Sequence, residues 1–202
     1  FYGVWMLINS AIIVLSIVNI GGIDTIIKYV SHYRGRNDKA SGDEVFSSVF
    51  VLQLLLLFLL AVMLILIVDH TKDNWILDLK DYQLNIFILS LQFGILLFSL
   101  KIIEKTILAY FKGYERYDLA AKFSITSKTI MIVTQIVTVI YTSSLVYVFI
   151  NSVISITLLI ILEVFFMKYY FQIKFLSLFS IKRLKEVLNF TGWTWFSSLI
   201  GV

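Results

Sequence analysis

Residues 49–68 read VFVLQLLLLFLLAVMLILIV, twenty residues with no charge and one polar side chain, Gln53. At 1.5 Å rise per residue a helix of that length covers about 30 Å, the thickness of a bilayer's hydrocarbon core. A second run, Ile150 to Met167, carries Glu163 as its one charge. The whole chain of 202 residues is 59% hydrophobic and 15% charged. Soluble domains sit nearer half apolar and a quarter charged. The surplus is concentrated in runs, so buried soluble helices are a poor alternative.

Working outward from 49–68, helices are expected over about Tyr2–Tyr33, Val45–Val68, Leu84–Phe111, Leu119–Tyr141 and Leu145–Tyr170. Gly21-Gly22 interrupts the first. A polar loop from Ser31 to Glu44 precedes the second, and the uncharged turn Thr142-Ser143-Ser144 precedes the fifth. Ile173 to Leu188 is expected to form an amphipathic segment in the head-group plane, with Lys182, Arg183 and Lys185 beside Phe175, Leu178 and Ile181. A further helix opens near Val187 and is cut off. The expected fold is all-α: a polytopic membrane helix bundle of about five complete transmembrane helices plus the start of a sixth.

Basic residues fix the expected orientation. Lys28, Arg34, Arg36 and Lys39 share one gap between apolar runs. Lys101, Lys105, Lys112, Arg116, Lys122 and Lys128 surround another, and Lys168, Lys174, Lys182, Arg183 and Lys185 a third. The intervening gaps hold only Lys72 and Lys80. Such an excess marks cytoplasmic loops. Residue 1 is then on the outer side, and the loops near 31–44, 112–118 and 168–186 face the cytoplasm. The net charge of +4 suits anionic lipid head groups. No basic stretch is interleaved with aromatics on a polar background, so nucleic acid is not an expected partner.

Several chemistries are excluded. The chain has no cysteine, and its two histidines, His32 and His70, lie in different gaps. No metal, cofactor or catalytic constellation is read from the motifs, so an enzyme is not expected. Phe1 and Val202 both fall inside apolar stretches, so the chain is expected to be an internal piece of a longer protein.

Polar residues inside the spans are the functional candidates, since such groups face other helices or a wet cavity. Ser124, Lys128, Gln135, Thr138 and Thr142 fall on one face of the fourth helix. The spacing leaves two readings open: a cavity-lining stripe or interhelical hydrogen bonding. It also leaves open whether Lys128 faces a cavity or snorkels to the interface. Gln92 and Ser99 share a face of the third helix, and Asn9 and Ser16 a face of the first. Asp24 and Glu163 are the acids placed to take a coupling ion, against a plain structural pairing with a cation.

Specific stretches add a resemblance. Phe1-Tyr2-Gly3-Val4-Trp5 is similar to the opening of the second helix in polysaccharide flippases of the Wzx type. Ile20-Gly21-Gly22-Ile23-Asp24-Thr25-Ile26-Ile27-Lys28-Tyr29-Val30-Ser31 continues the match. Ala109 to Tyr117, with Gly113 and Arg116, resembles the loop between the fourth and fifth helices, and Glu186 to Val202 the start of the seventh. The chain departs from the pattern at Asn19, where many relatives carry an acid, and in having no proline.

The resemblance implies that residues 1–185 are most of an N-terminal six-helix lobe lacking its first helix, and that 186–202 begin a second lobe. It implies a transporter in the cytoplasmic membrane that flips a polyprenyl-pyrophosphate-linked oligosaccharide by alternating access, within the superfamily of multidrug antiporters. Lys128, Gln135, Thr138, Ser124, Gln92, Ser99, Asn9 and Ser16 become cavity candidates for that substrate. Lys28, Arg34 and Arg116 become candidates for capturing its head group at the cytoplasmic mouth. Lipid-linked oligosaccharide, anionic lipids and other membrane proteins of polysaccharide assembly are the implied partners. A cation-coupled drug exporter and a membrane enzyme of polysaccharide assembly are the alternatives.

Overall fold

The computed structural model describes residues 6, 10, 22–71, 81–173 and 179–188. Its helices are α1 (Gly22–Gly35), α2 (Lys39–Thr71), α3 (Asp81–Gly113), α4 (Tyr117–Thr142) and α5 (Leu145–Phe171). A short α6 covers 181–188. No strand occurs among the described residues. Four helices, α2 to α5, are long and apolar enough to cross a membrane. Even the 26 residues of α4 reach about 39 Å, more than a hydrocarbon core requires. The protein is an all-helical, membrane-embedded chain.

Two expected boundaries move. The polar loop expected over 31–44 shrinks to a turn, because α1 continues to Gly35 and α2 already begins at Lys39. Asp38 caps α2, its Oδ1 accepting the Ser41 amide at 3.1 Å. Among the described residues of the amphipathic segment expected from Ile173, 181–188 are helical and 173 and 179–180 are not. Phe175 and Leu178, part of its expected apolar face, lie outside the described residues, as do Asn9 and Ser16.

Among the described residues, tight turns follow α1, α3 and α4 without proline or glycine at their left-handed positions. Asn37 (φ 58°) closes α1, with Asp38 N bonded to Tyr33 O and Asn37 N to Arg34 O. Glu115 (φ 58°) closes α3 the same way, with Arg116 N on Phe111 O and Glu115 N on Lys112 O. Both are Schellman ends, which satisfy carbonyls that the helix leaves unpaired. Ser143 (φ 50°) turns α4 into α5.

The chain packs as two compact units. One comprises Phe1–Val18, Leu57–Lys101 and Ser127–Leu159, the other Asn19–Leu56, Ile102–Thr126 and Ile160–Val202. The second holds the main hydrophobic cluster, with Ile26, Val30, Val45, Phe46, Ile107, Tyr110, Phe111 and Met167 at or near zero exposure. Gly113 makes a close approach of α1 to α3 possible. A Cβ there would fall 2.7 Å from Val30 Cβ and 2.8 Å from its Cγ1. Burial also differs between spans, with 56% of the apolar stretch of α3 buried and 11% of that of α4.

Candidate functional site

The second unit concentrates the charged and aromatic groups. Its centre is Tyr110, whose ring lies 4.6 Å from Phe46, 4.9 Å from Tyr114 and 5.5 Å from Phe171. The Tyr110 hydroxyl donates to Asp43 Oδ1 at 2.6 Å, and Tyr114 donates to the same oxygen at 3.3 Å. Two donors make a buried carboxylate tolerable where an unpaired one is not. Burial pushes the Tyr114 hydroxyl up to about 12, so it stays a donor. Lys39 Nζ donates to the Phe171 carbonyl, placing a cation at the C-terminal end of α5.

Arg183 ties three helices together. Its Nε meets Glu44 Oε2 at 3.3 Å, its Nη2 Ser41 Oγ at 2.6 Å, and its Nη1 both Tyr33 Oη at 2.7 Å and Glu186 Oε2 at 3.2 Å. The guanidinium also stands 4.9 Å over the Tyr33 ring. The Tyr33 hydroxyl in turn donates a hydrogen bond to Glu186 Oε1 at 3.0 Å. Burial, then that bond to Glu186, raises the Tyr33 hydroxyl above its ordinary range. Ser180 N donates to Ser48 Oγ at 3.0 Å. These contacts hold α6 against α1 and α2. The sequence shows Arg183 only as one basic residue of an amphipathic segment. Apart from Glu186, its partners Glu44, Ser41 and Tyr33 lie some 140 to 150 residues away, beyond any local pattern.

The three head-group candidates fare differently. Arg34 Nη1 binds Glu115 Oε2 at 2.9 Å and also the Tyr114 carbonyl. Arg116 makes a two-pronged pair with Asp118, both bonds 2.9 Å, and stacks 5.5 Å from the Tyr170 ring. Both guanidinium groups thus join helix ends. Lys28 instead lines an open groove of about 380 Å³ together with Tyr29, Ser31 and His32. Its Nζ lies 5.6 Å over the Tyr29 ring. The Ser31 hydroxyl donates to the Lys28 carbonyl at 2.9 Å, and a lysine and an imidazole on one groove are suitable donor types for an anionic oxygen. His32, on the next turn from Lys28, has no part in the reading of the sequence beyond the absence of a histidine cluster.

The polar face of α4 divides. Gln135 Nε2 donates to Ser152 Oγ at 2.9 Å. Asn151 Nδ2 bonds Thr138 Oγ1 at 2.6 Å and the Thr134 carbonyl at 3.0 Å. Ser155 Oγ approaches Thr134 Oγ1 at 3.4 Å. Gln135 and Thr138 therefore join α4 to α5, and Thr142 bonds back to the Thr138 carbonyl at 2.7 Å. Lys128 is exposed and Ser124 half-buried on the same helix. Lys128 lies eleven residues after Tyr117, about 16 Å along the axis. On α3, Gln92 is half-buried and buried Ser99 bonds back to the Ile95 carbonyl at 3.1 Å.

The acids separate as well. Asp24 is exposed in the first turn of α1. Glu163 is 0% exposed, and neither carboxyl oxygen has a hydrogen-bond partner among the described residues. Glu104 on α3, 8% exposed, is close enough for its charge to act on Glu163. In the sequence Glu104 stands between Lys101 and Lys105 as one more charge near a helix end. The available signal was depth: Glu104 stands nine residues before Gly113, and Glu163 eight before Phe171. Gln53 accepts a bond from Thr106 Oγ1 at 2.8 Å, leaving its Nε2 unpaired among the described residues.

No group of three or more metal-binding side chains occurs among the described residues. No curated protein and no solved structure matches the chain. The family model described as "Polysaccharide biosynthesis protein" matches residues 1–202, the whole chain. With four membrane-spanning helices and that match, the chain belongs to the polysaccharide biosynthesis protein family.

Proposed function

We propose that the chain is part of a Wzx-type transporter, not an enzyme. It would move a polyprenyl-pyrophosphate-linked oligosaccharide from the cytoplasmic to the outer leaflet of the cytoplasmic membrane, for surface polysaccharide such as the O-antigen of lipopolysaccharide. The observation that carries this reading is the family match over residues 1–202. A pyrophosphate with its sugars cannot cross hydrocarbon unaided, since burying unpaired charge is prohibitive. A carrier needs cations at its mouth and a polar path within. The Lys28 groove supplies the first, with Ser31 and His32 beside the lysine. Exposed Lys128, with Ser124 on the same helix, supports the second. Gln135 and Thr138 serve that path by fixing α4 on α5.

The test uses the full-length protein in a strain lacking it. Surface glycan should return with the wild type, and lipid-linked oligosaccharide should accumulate on the inner leaflet without it. Lys28→Ala and Lys128→Ala should each reduce export by roughly tenfold, the effect of losing about 1.4 kcal/mol of anion binding. Unchanged export in Lys128→Ala at normal expression removes that lysine from the path. The buried acids Glu104 and Glu163 also suit a cation-coupled drug exporter. Drug susceptibility that changes on deletion, with surface glycan intact, would favour that reading instead.

A further inference from the structure

We propose that the exposed face of α6 is a docking surface for anionic phospholipid at the membrane boundary, and that lipid seated there steadies the Lys28 groove through α6. The surface rests on geometry; what the groove does with it rests on the transporter reading above.

α6 lies along the start of α2, where that helix passes from charged to apolar. Arg183 holds Ser41 and Glu44, and Ser180, just before α6, donates its amide to Ser48 Oγ at 3.0 Å. Glu44 is the last charge of α2 before Val45 to Val68, which carry none. A spanning helix leaves the head groups for hydrocarbon where its charges stop. Ser48 stands one turn beyond Glu44, so α6 sits at that boundary, with exposed Phe179 beside Ser180.

The two sides of α6 differ. At about 100° per residue, Ile181, Lys185 and Leu188 fall within roughly 60° of one another, and Lys182 flanks them. Ile181 is 63% exposed and Leu188 45%, and both lysines are exposed. The opposite side holds Arg183 and buried Val187. Glu44 and Glu186 both pair with Arg183. Two ammonium groups thus stand beside two exposed aliphatic side chains, offering charge to phosphate oxygens and apolar area to acyl chains. A neutral lipid surface would match the second half of that pattern and not the first. Eight residues hold a membrane surface weakly by themselves, but the Arg183 clasp orders them beforehand and lowers the cost of docking.

The same helix touches the groove. Tyr29, which lines it with Lys28, donates to the Glu186 carbonyl at 3.3 Å. Tyr33, one turn on, donates to the Glu186 carboxylate at 3.0 Å. α6 therefore grips two tyrosines of α1, and Lys28 Nζ lies 5.6 Å over the ring of the first. Lipid on one side of α6 stabilises the helix whose other side positions Tyr29. A ligand that favours one arrangement shifts the population toward it. An anionic bilayer then keeps the groove formed, and a neutral one leaves it looser.

The experiment uses the full-length protein with a fluorophore on Leu188→Cys. These 202 residues contain no cysteine, and any elsewhere is replaced by serine. The labelled protein in detergent micelles is titrated with phosphatidylglycerol or with phosphatidylcholine. Phosphatidylglycerol should give a saturable change and phosphatidylcholine none. Each lysine near an anionic surface contributes about 1 kcal/mol, so the midpoint should move to roughly thirtyfold more lipid in Lys182→Gln/Lys185→Gln. Lys182→Arg/Lys185→Arg should keep the original midpoint, and a label on Ile181→Cys should repeat the result from the other end of α6. Equal responses to the two lipids overturn the proposal, and so does an unmoved midpoint in the Gln variant. A label silent to both lipids assigns this face to a protein contact and overturns it too. The second readout is flipping of lipid-linked oligosaccharide in vesicles of phosphatidylcholine alone or mixed equally with phosphatidylglycerol. The wild type should flip roughly tenfold faster in the mixture, an ordinary coupling, and that ratio should fall to about one in Lys182→Gln/Lys185→Gln. Tyr29→Phe/Tyr33→Phe leaves Arg183 on Glu44 and Ser41. It should keep the Leu188 response and lose the lipid dependence of flipping. A tenfold ratio that survives in both variants, or a wild-type ratio of about one, overturns the link to the groove. Absence of flipping in every sample, with the Leu188 label responding as expected, would instead overturn the flippase reading and leave the lipid surface standing.

Discussion

The contacts between α4 and α5 and the contacts of α6 with α1 and α2 solve one problem by opposite means. Between α4 and α5 the polar partners are amides and hydroxyls: Gln135 with Ser152, and Asn151 with Thr138. None carries a charge. Around α6, one guanidinium engages two carboxylates and two hydroxyls. In hydrocarbon, helices gain little from burying apolar surface, and each neutral hydrogen bond contributes about 0.6 kcal/mol. A ladder of such bonds sets register without the desolvation of an ion. Near water, Arg183 is 22% exposed at its side chain, so an ion can be gathered at lower cost and its fork used for geometry. Charge is used where water is near, and amides where it is not. Glu163, fully buried and with neither oxygen hydrogen-bonded among the described residues, departs from that division.

The largest expected effect tests the charged side of the comparison. Arg183→Ala leaves Glu44, Glu186, Tyr33 and Ser41 without their common donor. The loss should be about 2–3 kcal/mol, measured by thermal unfolding in detergent, and α6 should become sensitive to limited proteolysis. Arg183→Lys should recover less than half, since an ammonium cannot reproduce the fork. Full recovery by lysine would mean that charge alone, not geometry, holds α6.

Next in size is Gly113→Ala. The added methyl would lie 2.7 Å from Val30 Cβ, which belongs to the helix backbone's own shoulder and cannot swing away. A cost of about 1–3 kcal/mol is expected. Val30→Ala in the same molecule should restore part of it, and a double-mutant cycle isolates the coupling. Additive losses would show that α1 has shifted rather than clashed.

The uncharged side predicts smaller numbers. Asn151→Leu removes the bonds to Thr138 Oγ1 and to the Thr134 carbonyl. It should destabilise by about 1 kcal/mol in detergent unfolding, while Gln135→Leu, losing one bond, should cost about half as much. Equal costs would argue that the ladder acts as a unit and not bond by bond.

Legibility in the sequence follows the same division. The spans were readable because a run such as 49–68 must be a helix in lipid, whatever its neighbours. The polar face of α4 was readable from its period. Its partners were not, because Asn151 and Ser152 sit on another helix and nothing in the spacing chooses between a neighbour and a cavity. The start of α2 at Lys39 was hidden for a related reason. Its first turn is polar and reads as a loop, yet Asp38 caps it and Arg183, far along the chain, holds Ser41 and Glu44. Gly113 stood out as a residue but not as a contact, since its requirement comes from Val30 on α1. Arg34 looked like a free cation because its acid, Glu115, lies far along the chain in the turn after α3, and Arg116 because its acid, Asp118, opens the next helix.

The smallest effect expected concerns that cap, and its sign can be stated. Hydrogen bonds from Ser41 hold the Asp38 carboxyl below its ordinary 3.8. A carboxylate stabilised in the folded state contributes fully above its unfolded value, and the contribution is lost as pH falls through the lower folded one. Protection of the Ser41 amide from hydrogen exchange, corrected for intrinsic rate, should therefore be constant near neutrality and fall only below about pH 4. Asp38 is solvent-exposed, so the change is local fraying of one helix turn and not global unfolding. Asp38→Asn should keep much of the protection, since asparagine caps nearly as well as aspartate, and should erase its pH dependence. Asp38→Ala should lose both. If the acid-dependent loss survived in Asp38→Asn, its origin would be another carboxylate at this end of α2, with Glu44 the first to test through its pair with Arg183.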